Sequence, residues 1–132
     1  YFYEGKADFE LIRAISGAAS RTAAEADYLF ADTPEPALMK AARVGTGESP
    51  EAGATLVFMT EAATASCRAR LSGPGINGVR EMLLPLSRAC IESRRSKNAF
   101  FPLGIDVLLL DTENTVLALP RTTAIEILGV LP

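Results

Sequence analysis

The chain contains no histidine and only two cysteines among 132 residues. Without an imidazole to take the nucleophile's proton, Ser-His-Asp and Cys-His catalysis by this chain alone is excluded. Cys67 and Cys90 match no zinc-ligand spacing and read as ordinary semi-buried thiols. Lysine is confined to Lys6, Lys40 and Lys97, none at a strand end where a Schiff-base lysine would sit. Positive charge is short as well: 13 basic residues stand against 16 acidic ones, a formal net charge of −3. That balance speaks against a basic face for nucleic acid, and no aromatic-basic stripe suits a single strand. No apolar run approaches the length of a membrane span, and the N-terminus lacks a signal-peptide pattern. Neither nucleic acid nor membrane is expected as a partner, and the expected location is cytoplasmic. Internal repeats and long linkers are absent too, so the length suits one domain over residues 1–132.

The composition that remains is globular, 48% hydrophobic and 22% charged. Its organising stretch is residues 99–128. Residues 105–110 (IDVLLL) are rich in leucine and β-branched side chains, and residues 116–119 answer them across Asp111-Thr112-Glu113-Asn114. Two apolar runs joined by turn residues predict a β-hairpin. Because both runs are nearly continuous, both sheet faces are expected to be covered, with helices on each side. Pro120 ends the second strand, having no N–H for the ladder, and presents Arg121-Thr122-Thr123 before the alternation resumes at Ile125.

Earlier in the chain, residues 7–16 have helical spacing, with Gly17 as terminator. Residues 27–31 read as a strand. Thr33 is placed as the cap and Pro34 as the first residue of a helix running through Leu38 and Met39 to near Gly45. After a loop at 45–53, residues 54–59 form a strand. Residues 67–71 alternate, predicting a strand with a wetter face near an edge, paired with 54–59 over a loop at 60–64. Residues 72–78 are a turn. Residues 79–84 fit either a strand or a helix start. Residues 85–97 are helical, with Leu86, Ala89 and Cys90 on one face and Arg94 and Arg95 complementing the dipole at the C-terminus. The order of elements predicts an α/β fold with a mixed sheet.

Three features bear on chemistry. Gly73-Pro74-Gly75-Ile76 either cradles an anion with backbone N–H groups or is a sharp turn needing positive φ; it matches neither a dinucleotide fingerprint nor a Walker loop. Arg121, Thr122 and Thr123 offer a bidentate cation and two hydroxyls, suited to carboxylate or phosphate. The alternative is an Arg121 paired within the chain, to Asp106 or Glu126. Asp106 interrupts an apolar strand and needs a partner, for which Arg121 is the natural candidate. Glu51 is placed as a structural residue, capping or bonding backbone amides.

The segments PEAGATL at 50–56, LSGPGI at 71–76, FPLGID at 101–106 and LPRTT at 119–123, in this order and spacing, resemble the PhnH family. This is the H subunit of the bacterial carbon–phosphorus lyase core complex. The resemblance spans roughly residues 8–128 and is loosest between Arg80 and Asn98. It implies a three-layer α/β/α sandwich with a mixed sheet, similar to the large domain of pyridoxal-phosphate-dependent transferases but without that cofactor or any other. It implies partnership with the G, I and J subunits of the complex and pairing with itself when isolated. In that complex, which lets bacteria use phosphonates as a phosphorus source, the I subunit, aided by G and H, exchanges the adenine of a nucleoside triphosphate for a phosphonate. The J subunit then cleaves the carbon–phosphorus bond by radical chemistry on an iron–sulfur cluster. The implied role for this chain is an accessory or assembly subunit without catalytic residues or metal. Gly73, Gly75, Arg121, Thr122 and Thr123 would then face a ligand or interface. Family members usually carry a further segment, with the first strands of the sheet, before the region where this chain starts. A chain without it would show an exposed sheet edge for a partner to cover. The rival expectation is a stand-alone small-molecule enzyme or binding protein with its anion site at Gly73, Gly75 and Arg121. The lack of histidine, paired acids and a suitable lysine counts against it.

Overall fold

The computed structural model describes residues 1–60 and 66–131. Its elements run β1 (Phe2–Glu4), α1 (Glu10–Ser16), β2 (Tyr28–Ala31), α2 (Pro36–Ala41), a 3-10 turn (Pro50–Ala52), β3 (Thr55–Met59), β4 (Ser66–Ser72), β5 (Val79–Leu84), α3 (Arg88–Lys97), β6 (Asp106–Leu110), β7 (Val116–Leu119) and β8 (Ala124–Leu131). Mixed α/β content is as expected, but the strands form two sheets. The larger has the order β1-β2-β3-β6-β7, parallel except for β7. The smaller is antiparallel, β5-β4-β8.

The expected hairpin is β6–β7, with Val107 opposite Leu119 and Leu110 opposite Val116. Asp111 closes its turn, its Oδ1 accepting from the backbone N–H groups of Glu113 at 2.9 Å and Thr115 at 2.8 Å. The period-two side-chain pattern sorts the larger sheet's faces. Leu29, Leu56 and Val107 lie in one row and Ala31, Phe58 and Leu109 in the next, all buried in a core shared with α2, α3 and the smaller sheet. The opposite face carries Phe30, Val57 and Leu108 in register. It is also apolar, but the described residues leave it half-buried, with Tyr28 and Met59 exposed. Coverage of both faces therefore does not hold within the described residues. The continuous apolar run reflects two apolar faces, of which one is packed.

Several boundaries differ from the sequence reading for identifiable reasons. β1 was not anticipated; its three residues are too short to show a period. α1 is present and Gly17 terminates it at φ 67°, yet Leu11, Ile12 and Ile15 are exposed. α2 begins at Pro36, not Pro34. Glu35 precedes a proline and is held extended at φ −118°, ψ 126°, so no helical turn forms before it. The helix is capped at Ala42, short of Gly45. β4 is the centre of the smaller sheet rather than an edge, and pairs with β5 and β8 rather than with β3. Its wetter face is the solvated side of an antiparallel sheet, where Arg70 bridges Glu81 at 2.8 Å and Glu126 at 3.1 Å. The expected loop at 60–64 lies outside the described residues beyond Thr60. Residues 79–84 resolve as the strand β5. α3 starts after Ser87, whose Oγ accepts from Cys90 N at 3.2 Å; Ala89 is exposed and Arg94 is buried. No helix among the described residues is long and apolar enough to cross a membrane.

Candidate functional site

Pro120 ends β7, and a turn closed by Thr123 N donating to Pro120 O at 2.9 Å carries Arg121 and Thr122. Arg121 is the hub. Its backbone N–H donates to Asp106 Oδ1 at 2.7 Å. Its Nε reaches both carboxylate oxygens at 3.4 and 3.3 Å, and Nη2 reaches Oδ2 at 2.8 Å. Nη1 donates to the carbonyls of Pro50 at 2.8 Å and Pro102 at 3.2 Å. Asp106 is thus the partner of Arg121, and Glu126 is not. Burial opposes ionisation of Asp106, but the Arg121 hydrogen bonds and charge outweigh it and hold the carboxyl below the ordinary aspartate pKa.

Three of the four motif segments therefore meet on one guanidinium, and the fourth packs against the turn that carries Arg121. Gly73 lies so close to the turn that a Cβ there would sit 2.7 Å from Thr122 O. Gly53 admits Arg121, because a Cβ would meet Arg121 Nη1 at 2.9 Å and run into the Gly104 carbonyl. Gly75 has φ 84° and follows Pro74 in a turn closed by Ile76 N donating to Gly73 O at 3.1 Å. That is a type II turn, with proline second and glycine third. The geometry of Gly73 and Gly75 is thus accounted for by a turn packed on Thr122, with the Ile76 N–H already engaged. Glu51 is exposed in its 3-10 turn and makes no hydrogen bond among the described residues, so the capping role placed on it is not realised. The Pro50 carbonyl beside it does the linking instead.

The structure adds residues from the C-terminal end of α3, where the sequence reading gave Arg94 and Arg95 only the task of complementing the helix dipole. Arg94 is 3% exposed. Its Nη1 donates to Thr123 O at 3.1 Å, and its Nη2 to Leu119 O at 3.3 Å and to Pro120 O. Burial drops its pKa to about 10, the charge of Asp106 opposing the fall. Arg95 Nη2 donates to Ile125 O at 2.9 Å. Asn98 pairs with both backbone groups of Ile105, accepting at 2.7 Å and donating at 3.1 Å. The signal was present in the spacing: Cys90, Ile91, Arg94 and Asn98 fall on one helical face. Thr123 is buried and Thr122 exposed. The segment 119–125 is thereby gripped from two sides, by Arg94 and Arg95 through its carbonyls and by Asp106 through the Arg121 amide. Among the described residues, no three His, Cys, Asp or Glu side chains are placed to hold a metal ion.

Residues 4–126 match the family described as "Bacterial phosphonate metabolism protein (PhnH)". A curated relative from Stutzerimonas stutzeri, provisionally named as the C-P lyase subunit protein HtxG, is 36% identical over 117 residues. That alignment covers 86% of this chain and 57% of the relative, so the chain spans little more than half of that protein's length. The matched region contains the whole of the Arg121 node, and the chain belongs to the PhnH family of bacterial phosphonate metabolism proteins.

Proposed function

We propose that the chain acts as a non-catalytic subunit of the carbon–phosphorus lyase complex in organophosphonate catabolism. The observation that carries this reading is the family match over residues 4–126, and the relative's name as a C-P lyase subunit supports it. The site fits an accessory role. Each nitrogen of the Arg121 guanidinium donates to Asp106, Pro50 or Pro102, the arrangement of a clamp that shapes a surface. Within the complex, the subunit would assist the step that places a phosphonate on the ribose of a nucleoside triphosphate, beside the G, I and J subunits and in the cytoplasm. The apolar second face of the five-stranded sheet is where the third layer of an α/β/α sandwich, of the kind seen in pyridoxal-phosphate-dependent transferases, would sit. Pairing of the isolated protein with itself belongs to the same reading.

Co-expression of the tagged full-length protein with the G, I and J subunits of the same source, followed by size-exclusion chromatography, tests the assignment. Co-elution in one assembly is expected. Assembly of the other three without it would overturn the role.

A further inference from the structure

Phe100 and Phe101 are 78% and 73% exposed, whereas the other four phenylalanines, Phe2, Phe9, Phe30 and Phe58, are buried or half-buried. Ala99 and Pro102 on either side are exposed as well. Single exposed apolar side chains are ordinary, but a run of four in a row is a fault in a soluble surface unless it has a use. The run is also held firmly. Leu103 N donates to Phe100 O at 2.9 Å, closing the turn that carries both rings. Asn98 spans the base of the loop through its two bonds to Ile105. Gly104 N donates to Val44 O at 3.0 Å, and Arg121 Nη1 to Pro102 O at 3.2 Å. The Arg121 clamp thus helps to fix a turn that shows two phenylalanines to solvent. Aromatic side chains on an anchored backbone lose little freedom on binding.

The charge around this turn has one sign. The chain enters it from the last turn of α3, which carries Arg94, Arg95 and Lys97 and no acid. Arg95 is exposed and Lys97 half-buried. Among the described residues their hydrogen bonds go to the carbonyls of Ile125 and Ala42, not to a carboxylate. Asp106 is matched by Arg121, and the exposed Glu51, beside Pro50, is one negative charge against two.

From this we infer that the loop is the anchor of a protein–protein interface: Phe100 and Phe101 enter an apolar pocket on another subunit of the complex, and carboxylates around that pocket meet Arg95 and Lys97. Buried aromatic anchors carry much of the energy of such interfaces. Complementary charge around them speeds the encounter and fixes its orientation. The inference rests on the subunit role proposed above and deepens it, naming the surface that docks and the chemistry of what it meets.

The test is biolayer interferometry of the full-length protein against the immobilised assembly of the G, I and J subunits from the same source, for the wild type and for Phe100→Ser with Phe101→Ser. Affinity at least about thirtyfold weaker is expected in the double variant, the scale of one lost hot-spot residue. Its thermal midpoint should stay within about 2 °C of the wild type, as for other surface changes. Association of the wild type should slow as salt is raised, and Arg95→Glu should slow it at low salt. Unchanged affinity in the double variant overturns the inference and leaves the subunit role intact. A wild type that does not bind the assembly overturns the role, and the inference with it. A larger fall in thermal midpoint means that the chain itself covers the two rings, and overturns the inference. Loss of self-association in the double variant, with binding to the assembly retained, assigns the loop to a second copy and overturns it too. Association indifferent to both salt and Arg95→Glu overturns the carboxylate rim.

Discussion

Replacing Arg121 by Met removes the guanidinium while keeping much of the stem. The Arg121 side chain is 14% exposed and that of Asp106 31%, so the pair is largely but not wholly withdrawn from water. Removing one partner of a buried pair costs about 3–5 kcal/mol, because the other charge is left without compensation. Partial hydration of Asp106 puts the expected loss near the lower end, about 3 kcal/mol. The Pro50 and Pro102 carbonyls lose their Arg121 donor as well, at about 1 kcal/mol each where water cannot replace it. Against a total stability of about 5–15 kcal/mol, the variant folds with a much lower urea midpoint or falls to the edge of unfolding. Arg121→Lys keeps the charge but not the fork and should lose about half as much. Urea unfolding of the full-length proteins, followed by far-UV circular dichroism because the chain has no tryptophan, reads these differences. A loss below about 1 kcal/mol in Arg121→Met, the range of an exposed pair, would refute the clamp and restore Arg121 to ligand binding.

Other expectations follow from the same geometry. Gly73→Ala combines a φ of 138° with a close approach to Thr122 O, and should cost about 1–3 kcal/mol. Gly75→Ala meets open space and carries only the positive-φ penalty, so its thermal midpoint should fall less. Asp106 has a lower pKa folded than unfolded. Its contribution is complete above the ordinary aspartate pKa and is lost as pH falls through the folded value. Stability should therefore decline on acidification over that range, and the decline should flatten in Asp106→Asn, as urea midpoints across acid pH would record. Burial pushes the thiols of both Cys67 and Cys90 up, so a thiol reagent should modify them slowly in the native protein and quickly in denaturant.

The hairpin at β6–β7 was legible because a local pattern settles it: two apolar runs, a turn-forming Asp111, and a proline to stop the second strand. The pairing of Asp106 with Arg121 was legible as one of two readings, since a carboxylate in an apolar strand requires a cation and few are near in sequence. The start of α2 was misplaced by two residues because Thr33-Pro34 and Glu35-Pro36 compete for the same role. The partner of β4 was missed because alternation reports one wet face, not which strand lies beside it. Arg94 was missed for a similar reason: a basic residue in a last helical turn has a ready explanation in the dipole, and its burial depends on a distant segment closing over it.

Composition alone established that these 132 residues supply no histidine. The order of four short motifs carried the family resemblance, because each motif is local chemistry written in consecutive residues. The convergence of those motifs was settled only by tertiary packing. Pro50, Pro102, Asp106 and Arg121 become neighbours because β3 and β6 run side by side in the larger sheet and β7 returns along β6. The burial of Arg94 and its bonds to the Leu119 and Thr123 carbonyls arise at the same level, since burial is a property of neighbours brought together across the fold.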